Sequence, residues 1–165
     1  MAEALAARRR LGYGLAALVF ALDQLSKWWI LEIVRLQEIG QIPVLPVFSL
    51  TFVANVGVSM GMFSAESDLG RWLLVAATGG IAVAVGVWIA REQSRWDVAA
   101  LGLVLGGAVG NILDRVRFGY VVDFLHFFWH DASFWVFNVA DAAITCGVLM
   151  LLLKAFVPAK AAVKD

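Results

Sequence analysis

The sequence predicts a mainly α membrane protein, with four transmembrane helices and a small β-sheet in the long extracytoplasmic loop between helices 1 and 2. Three observations predict it. Apolar residues make up 62% of the 165-residue chain and charged residues 16%, against about 45–50% and about 25% in soluble domains, and the mean hydropathy is +0.84. The apolar residues are gathered into blocks of about 20, the length a helix needs to cross a bilayer. Between the first two blocks, Val47-Phe48-Ser49-Leu50-Thr51-Phe52 alternates large apolar with small hydroxyl residues, which is the period of a strand.

The first span runs over about 11–33. Arg8-Arg9-Arg10 precede it, as in a signal peptide. Its length, the absence of an A-x-A-like site at its end, and Asp23, Gln24, Ser26 and Lys27 inside it mark it instead as an uncleaved span. The connection 34–71 holds the predicted outer sheet and loop, about 42–63, where Asn55, Gly57 and Gly61 signal a turn or a close backbone approach. The second span, about 72–90, and the third, about 98–113, carry no charge. The fourth covers about 134–157, with Asp141 near its start. Pro43, Pro46 and Pro158 all fall outside the spans, as helix interiors require. Residues 1–165 read as a single membrane-embedded domain.

Lys and Arg set the orientation. Arg8–Arg10, Arg91 with Arg95, and Lys154, Lys160 and Lys164 mark three regions that must share one side, and the positive-inside rule makes that side cytoplasmic. Both termini are then cytoplasmic, and the connections 34–71 and 114–133 face outward. Trp28, Trp29, Trp72, Trp129 and Trp135 fall at outer ends of spans and Trp88 and Trp96 at inner ends, as two aromatic belts would place them. A net charge of zero argues against a nucleic-acid partner. The single cysteine, Cys146, excludes a disulfide framework.

Four aspartates stand in or against apolar runs: Asp23, Asp114, Asp123 and Asp141. Charge at membrane depth costs a few kcal/mol or more, so such residues are functional candidates by default. Asp23 and Lys27, four apart, share a helix face. They read as an intrahelical ion pair near the outer interface or as a support group facing the bundle. Gly102, Gly106 and Gly110 form a small-residue stripe that lets a second helix approach. Asn111 and Asp114 extend that face, with Arg115 beside Asp114, and read as a polar pair that closes the third helix. Tyr120-Val121-Val122 and Phe124-Leu125 surround Asp123, and such apolar neighbours raise a carboxyl pKa. Asn138 is a good N-cap with Asp141 at N3, a box-like arrangement in which the helix dipole favours the carboxylate. His126 and His130 have metal-ligand spacing for a helix, but the aromatic residues between them favour an interfacial aromatic cluster and no metal.

These residues also spell a family. Asp23-Gln24-x-x-Lys27, Asn55-x-Gly57, Gly106-Gly107-x-x-Gly110-Asn111-x-x-Asp114-Arg115, Val122-Asp123-Phe124 and Phe137-Asn138-x-Ala140-Asp141 occur in this order over essentially the whole chain. The chain resembles lipoprotein signal peptidase, the type II signal peptidase of bacteria. The resemblance implies an intramembrane aspartyl peptidase of the bacterial cytoplasmic (inner) membrane, acting near its extracytoplasmic face. It implies cleavage of prolipoproteins before a diacylglyceryl-bearing cysteine, with membrane lipid as a partner, no cofactor, and inhibition by the peptide antibiotic globomycin. On the matching positions, Asp123 and Asp141 are the catalytic pair. Asp23, Lys27, Asn55, Gly57, Asn111, Asp114, Arg115, Asn138 and Ala140 bind substrate or support the site. Ser59 and Met60 depart from the Ala and Phe usual in the family after Asn55-x-Gly57.

Two carboxyls hydrolyse a peptide when one is ionised and takes a proton from water while the other is protonated and polarises the carbonyl. The first-turn position of Asp141 and the apolar neighbours of Asp123 put the charge on Asp141 and the shared proton on Asp123. The alternative class is a small proton-coupled carrier with the aspartates as a relay. Clustering of the acids on one side of the membrane argues against it.

Overall fold

A computed structural model describes residues 2–57, 68–129 and 132–156. Its elements are helix α1 (Ala2–Trp28), continued by a π-helical turn Trp29–Ile33, then α2 (Leu36–Ile39), β1 (Gln41–Leu45), β2 (Phe48–Asn55), α3 (Asp68–Arg91), α4 (Arg95–Phe118), β3 (Val121–Trp129), β4 (Ala132–Phe137) and α5 (Val139–Phe156). Among the described residues, four helical segments are long and apolar enough to cross a membrane: Glu3–Ile33, Asp68–Arg91, Arg95–Phe118 and Val139–Phe156.

The four expected spans are present, with shifted ends. The first helix begins before residue 11, and the third continues past residue 113 to Phe118, where Gly119 takes φ +86 and its N–H bonds Arg115 O. The fourth starts at Val139, not 134. Residues 134–137 belong to β4, because Asn138 caps the helix and the aromatic and β-branched run before it pairs with β3. The expected sheet is also larger than one loop. β1 and β2 come from the first connection, while β3 and β4 lie between α4 and α5, giving an antiparallel sheet in the order β1-β2-β3-β4. Residues 58–63 of the predicted loop, with Ser59 and Met60, lie outside the described residues.

The central helix, α4, packs against α1, α3 and α5. The glycine stripe is the reason α1 lies so close. A Cβ on Gly106 would stand 2.5 Å from Ala16 O, and one on Gly102 2.5 Å from Gly12 O. Gly107 makes the same approach possible toward Ala140 of α5. A Gly106→Ala substitution should therefore force α1 and α4 apart and destabilise by about 1–3 kcal/mol, the usual range for overpacking. Thermal melts in detergent micelles would read this as a lower Tm; an unchanged Tm would show that the stripe does not bind the two helices.

Cross-contacts fix which ends lie together. Arg9 Nε donates to Ala90 O, Trp96 Nε1 to Met150 O, and Lys154 Nζ contacts Ser94 Oγ and the Asp97 carboxylate. One end of the bundle thus carries Arg9, Arg91, Arg95 and Lys154. The opposite end carries the C-terminal part of α1, the C-terminal turns of α4, the start of α5 and the sheet. The core beneath the sheet joins them: Ile30, Leu36, Val122 and Phe124 are buried together, with Leu50, Phe52 and Tyr120 packed around them.

Candidate active site

Asp123 and Asp141 meet at the sheet end of the bundle, joined by Asn138. Asn138 Nδ2 donates to Asp123 Oδ1 at 2.6 Å. Asp141 N donates to Asn138 Oδ1 at 3.0 Å, and Asn138 N to Asp141 Oδ2 at 3.2 Å. This reciprocal pair is the capping box expected from the spacing, so the residue that starts α5 also ties the two acids together. The second oxygen of each acid has its own amide donor. Asn55 Nδ2, at the end of β2, reaches Asp123 Oδ2 at 2.9 Å, and Asn111 Nδ2, on α4, reaches Asp141 Oδ1 at 2.8 Å. Asn55 is positioned by the pairing of β2 with β3, in which it stands opposite Val121, and its own Oδ1 accepts the N–H of Gly57 at 3.0 Å. Gly57 takes φ +99, a conformation that favours glycine.

The two acids differ in environment. Asp123 sits on a strand whose residues 121–124 are all buried, and it is 1% exposed. Burial pushes its carboxyl up to about 6, against the Asn55 hydrogen bond; the charge of Asp141 adds to the rise, and Asn138 and Lys27 oppose it. The Arg115 guanidinium also faces both acids. Asp141 is only partly buried and lies on the first turn of α5, at the positive end of the helix dipole.

Because the folded state holds the Asp123 proton more tightly than the unfolded chain, this group stabilises fully below about pH 4 and loses that contribution as pH rises through about 6, a total of at most about 3 kcal/mol. Asp123→Asn removes the slope. Its Tm should gain on the wild type as pH is raised from about 4 to about 7. A Tm difference independent of pH would contradict the raised value.

Behind the acids lies a fully buried polar cluster. Asp23 and Asp114 are 0% exposed and Lys27 2%. Lys27 Nζ bonds Asp23 Oδ2 at 2.8 Å, Asp114 Oδ2 at 2.7 Å and Asn111 Oδ1 at 3.2 Å. The Asp23–Lys27 pair is thus an intrahelical ion pair turned into the bundle. Asn111 and Asp114 both face the bundle and meet on Lys27; adjacent Arg115 does not pair with Asp114, since neighbouring residues on a helix point about 100° apart. Arg115 instead donates to Asn111 O at 3.3 Å, and its buried Nε has no hydrogen-bond partner among the described residues. Ala140 is buried, and its backbone N–H is held by Asp23.

Residue spacing did not reveal two contributors. Gln24, next to Asp23, donates to Asp114 Oδ1 at 3.0 Å and to Asp23 Oδ2 at 3.1 Å. A polar face within the sheet joins Gln41, buried Ser49, Thr51 and His126; strand register alone brings these together. His126 lies on a strand, so its spacing to residue 130 defines no helix face, and it combines these polar contacts with the ring of Phe128 at 5.4 Å. His130 lies outside the described residues. Among the described residues no three His, Cys, Asp or Glu side chains are grouped as metal ligands.

A family model described as signal peptidase (SPase) II matches residues 15–157. A lipoprotein signal peptidase of Rhizorhabdus wittichii is 57% identical over 158 residues, covering 94% of this chain and 91% of its own length. One of Sphingopyxis alaskensis is 51% identical over 147 residues, covering 88% and 85%. A solved bacterial membrane enzyme, determined by the in meso method at 2.3 Å, matches with a TM-score of 0.75 at 27% identity, covering 93% of this chain and 94% of that one.

Proposed function

The chain belongs to the signal peptidase II family, and from that premise we propose that it is an aspartic endopeptidase that cuts prolipoproteins immediately before a diacylglyceryl-modified cysteine, with Asp123 and Asp141 as its catalytic pair. Members of this family are membrane proteases that remove signal peptides from prolipoproteins. The observation that carries the finer reading is the shared Asn138, which holds one deeply buried carboxyl and one first-turn carboxyl in a single hydrogen-bonded unit.

In the proposed reaction a water between the acids loses a proton to Asp141 as its oxygen attacks the scissile carbonyl. Protonated Asp123 donates to the carbonyl oxygen, giving a tetrahedral diol. Return of the oxygen proton to Asp123 and transfer of the Asp141 proton to the leaving nitrogen break the C–N bond. The products are a signal-peptide carboxylic acid and the free amine of the lipidated cysteine. Both Asp141 oxygens accept hydrogen bonds, from the Asn111 side chain and the Asn138 backbone N–H, which suits a proton acceptor, and the raised Asp123 carboxyl suits the proton donor.

The Lys and Arg distribution supports a cytoplasmic (inner) membrane location with the basic end inside and the acids near the outer face. There water can enter, and a lipidated cysteine can approach from the bilayer. Globomycin, in this reading, competes for the same site. Incubating the purified chain in proteoliposomes with one prolipoprotein, with and without its diacylglyceryl group, tests the substrate class. The lipidated form should be cut and the unmodified form left intact; equal cleavage of both would remove the lipid from recognition.

A further inference from the structure

Lys27 contacts neither acid, yet it stands between the segments that carry them. Its ammonium has three N–H donors, and each one leads to the pair by a separate route. Asp23, held by Lys27 through Oδ2, accepts the backbone N–H of Ala140 through Oδ1 at 3.0 Å. Asp114, held at 2.7 Å, accepts the backbone N–H of Val122 at 3.1 Å. Ala140 immediately precedes Asp141 and Val122 immediately precedes Asp123. The third donor reaches Asn111 Oδ1, which orients that amide so that its Nδ2 faces Asp141.

We propose that Lys27 is a positioning residue: it sets the spacing of the two acids by holding, through Asp23 and Asp114, the backbone of the residue before each of them. The proposal rests on the reading of Asp123 and Asp141 as the catalytic pair. Three features make the arrangement stiff. Gln24 bonds both carboxylates, which locks their rotamers. A Cβ on Gly110 would stand 2.5 Å from Asp23 Oδ2, so α4 is pressed against that strut. All three charges are almost fully shielded from solvent, so breaking one contact leaves a buried charge short of a partner. An apolar cluster would fill the same volume with less desolvation cost, but it would offer no acceptor to the two N–H groups and no link between α1, α4, β3 and α5.

The test uses the full chain and a diacylglyceryl-modified prolipoprotein, with kcat and KM measured per mole of folded protein. Asp23→Asn and Asp114→Asn preserve shape and an acceptor oxygen but remove the charge that Lys27 holds. Each should lower kcat on the order of tenfold to a hundredfold, the scale of a displacement of about 1 Å in a catalytic group, with KM nearly unchanged. The two limbs of the pH–rate profile should move, because their separation reports coupling between the acids. The double variant should lose much less than the product of the single losses, since both struts end on one ammonium. Lys27→Met should resemble the double variant where it folds; the two asparagine variants carry the test where it does not. Lower Tm with wild-type kcat and pH profile in the folded fraction would overturn the proposal and leave the cluster a purely structural role. Asp123→Asn and Asp141→Asn run in parallel separate the two readings. If they are inactive while the strut variants turn over normally, only the role of Lys27 falls. If they turn over normally, the catalytic pair falls and this proposal with it.

Discussion

Asp123→Asn and Asp141→Asn are each expected to lower cleavage by roughly four orders of magnitude, the upper range for loss of general acid–base catalysis. Neither change should unfold the protein. Both side chains keep their shape, and each asparagine retains one oxygen for the surrounding donors. At position 123 the new NH2 must face either Asn55 or Asn138, which both donate to the present carboxylate, so one hydrogen bond is lost. The gain from removing a buried carboxyl offsets that loss above about pH 6. At position 141 the helix keeps Asn138 Oδ1 as its cap but loses the carboxylate that closes the box, a cost of about 1 kcal/mol or less. Cleavage assays paired with melting curves check both halves. Near-normal turnover in either variant would remove that residue from the chemistry.

The second large effect is expected from Asn138→Ala. Asn138 is 0% exposed. Its loss removes the N-cap of α5, worth about 1 kcal/mol and up to about 2, and takes a donor from both Asp123 Oδ1 and Asn111 Oδ1. Lys27 still bonds Asn111, so the cluster behind the acids should survive. Asp123 and Asp141 would lose their common tether, and turnover should fall on the order of a hundredfold, as for other small misplacements of catalytic groups. Asn138→Ser, which restores a cap but cannot reach Asp123, should recover Tm and not turnover. Recovery of both by serine would mean that the residue serves the helix alone.

What could be read without the structure was what depends on neighbours along the chain. The four-residue step from Asp23 to Lys27, the Gly102-Gly106-Gly110 stripe, the Asn138–Asp141 box and the alternation over 47–52 each express a helix or strand period, and each appears in the fold. The partnership of Lys27 with Asp114 does not, because it joins two helices whose relative rotation no period specifies. The β2–β3 register that aims Asn55 at Asp123 is likewise a long-range pairing, with an irregularity between Leu50 and Val53. Residues 134–137 read as helix because their apolar run continues into α5. Only the cap at Asn138 divides strand from helix, and a cap residue looks the same when it interrupts a helix as when it starts one. Asp123 was legible through its apolar neighbours, whose burial gives the raised carboxyl.

An acid pair that activates water directly to cut before the lipidated cysteine leaves no covalent intermediate on the enzyme. The most direct measurement is mass spectrometry of both products and of the enzyme after a single turnover in H2-18O with a lipidated prolipoprotein, quenched with hydroxylamine. Direct hydrolysis should give a signal peptide with one 18O in its new carboxyl group, a mature product beginning at the diacylglyceryl-cysteine with a free amine, and an enzyme of unchanged mass at every time point. A signal-peptide adduct on the enzyme, a hydroxamate product, or a cut at another bond would contradict it.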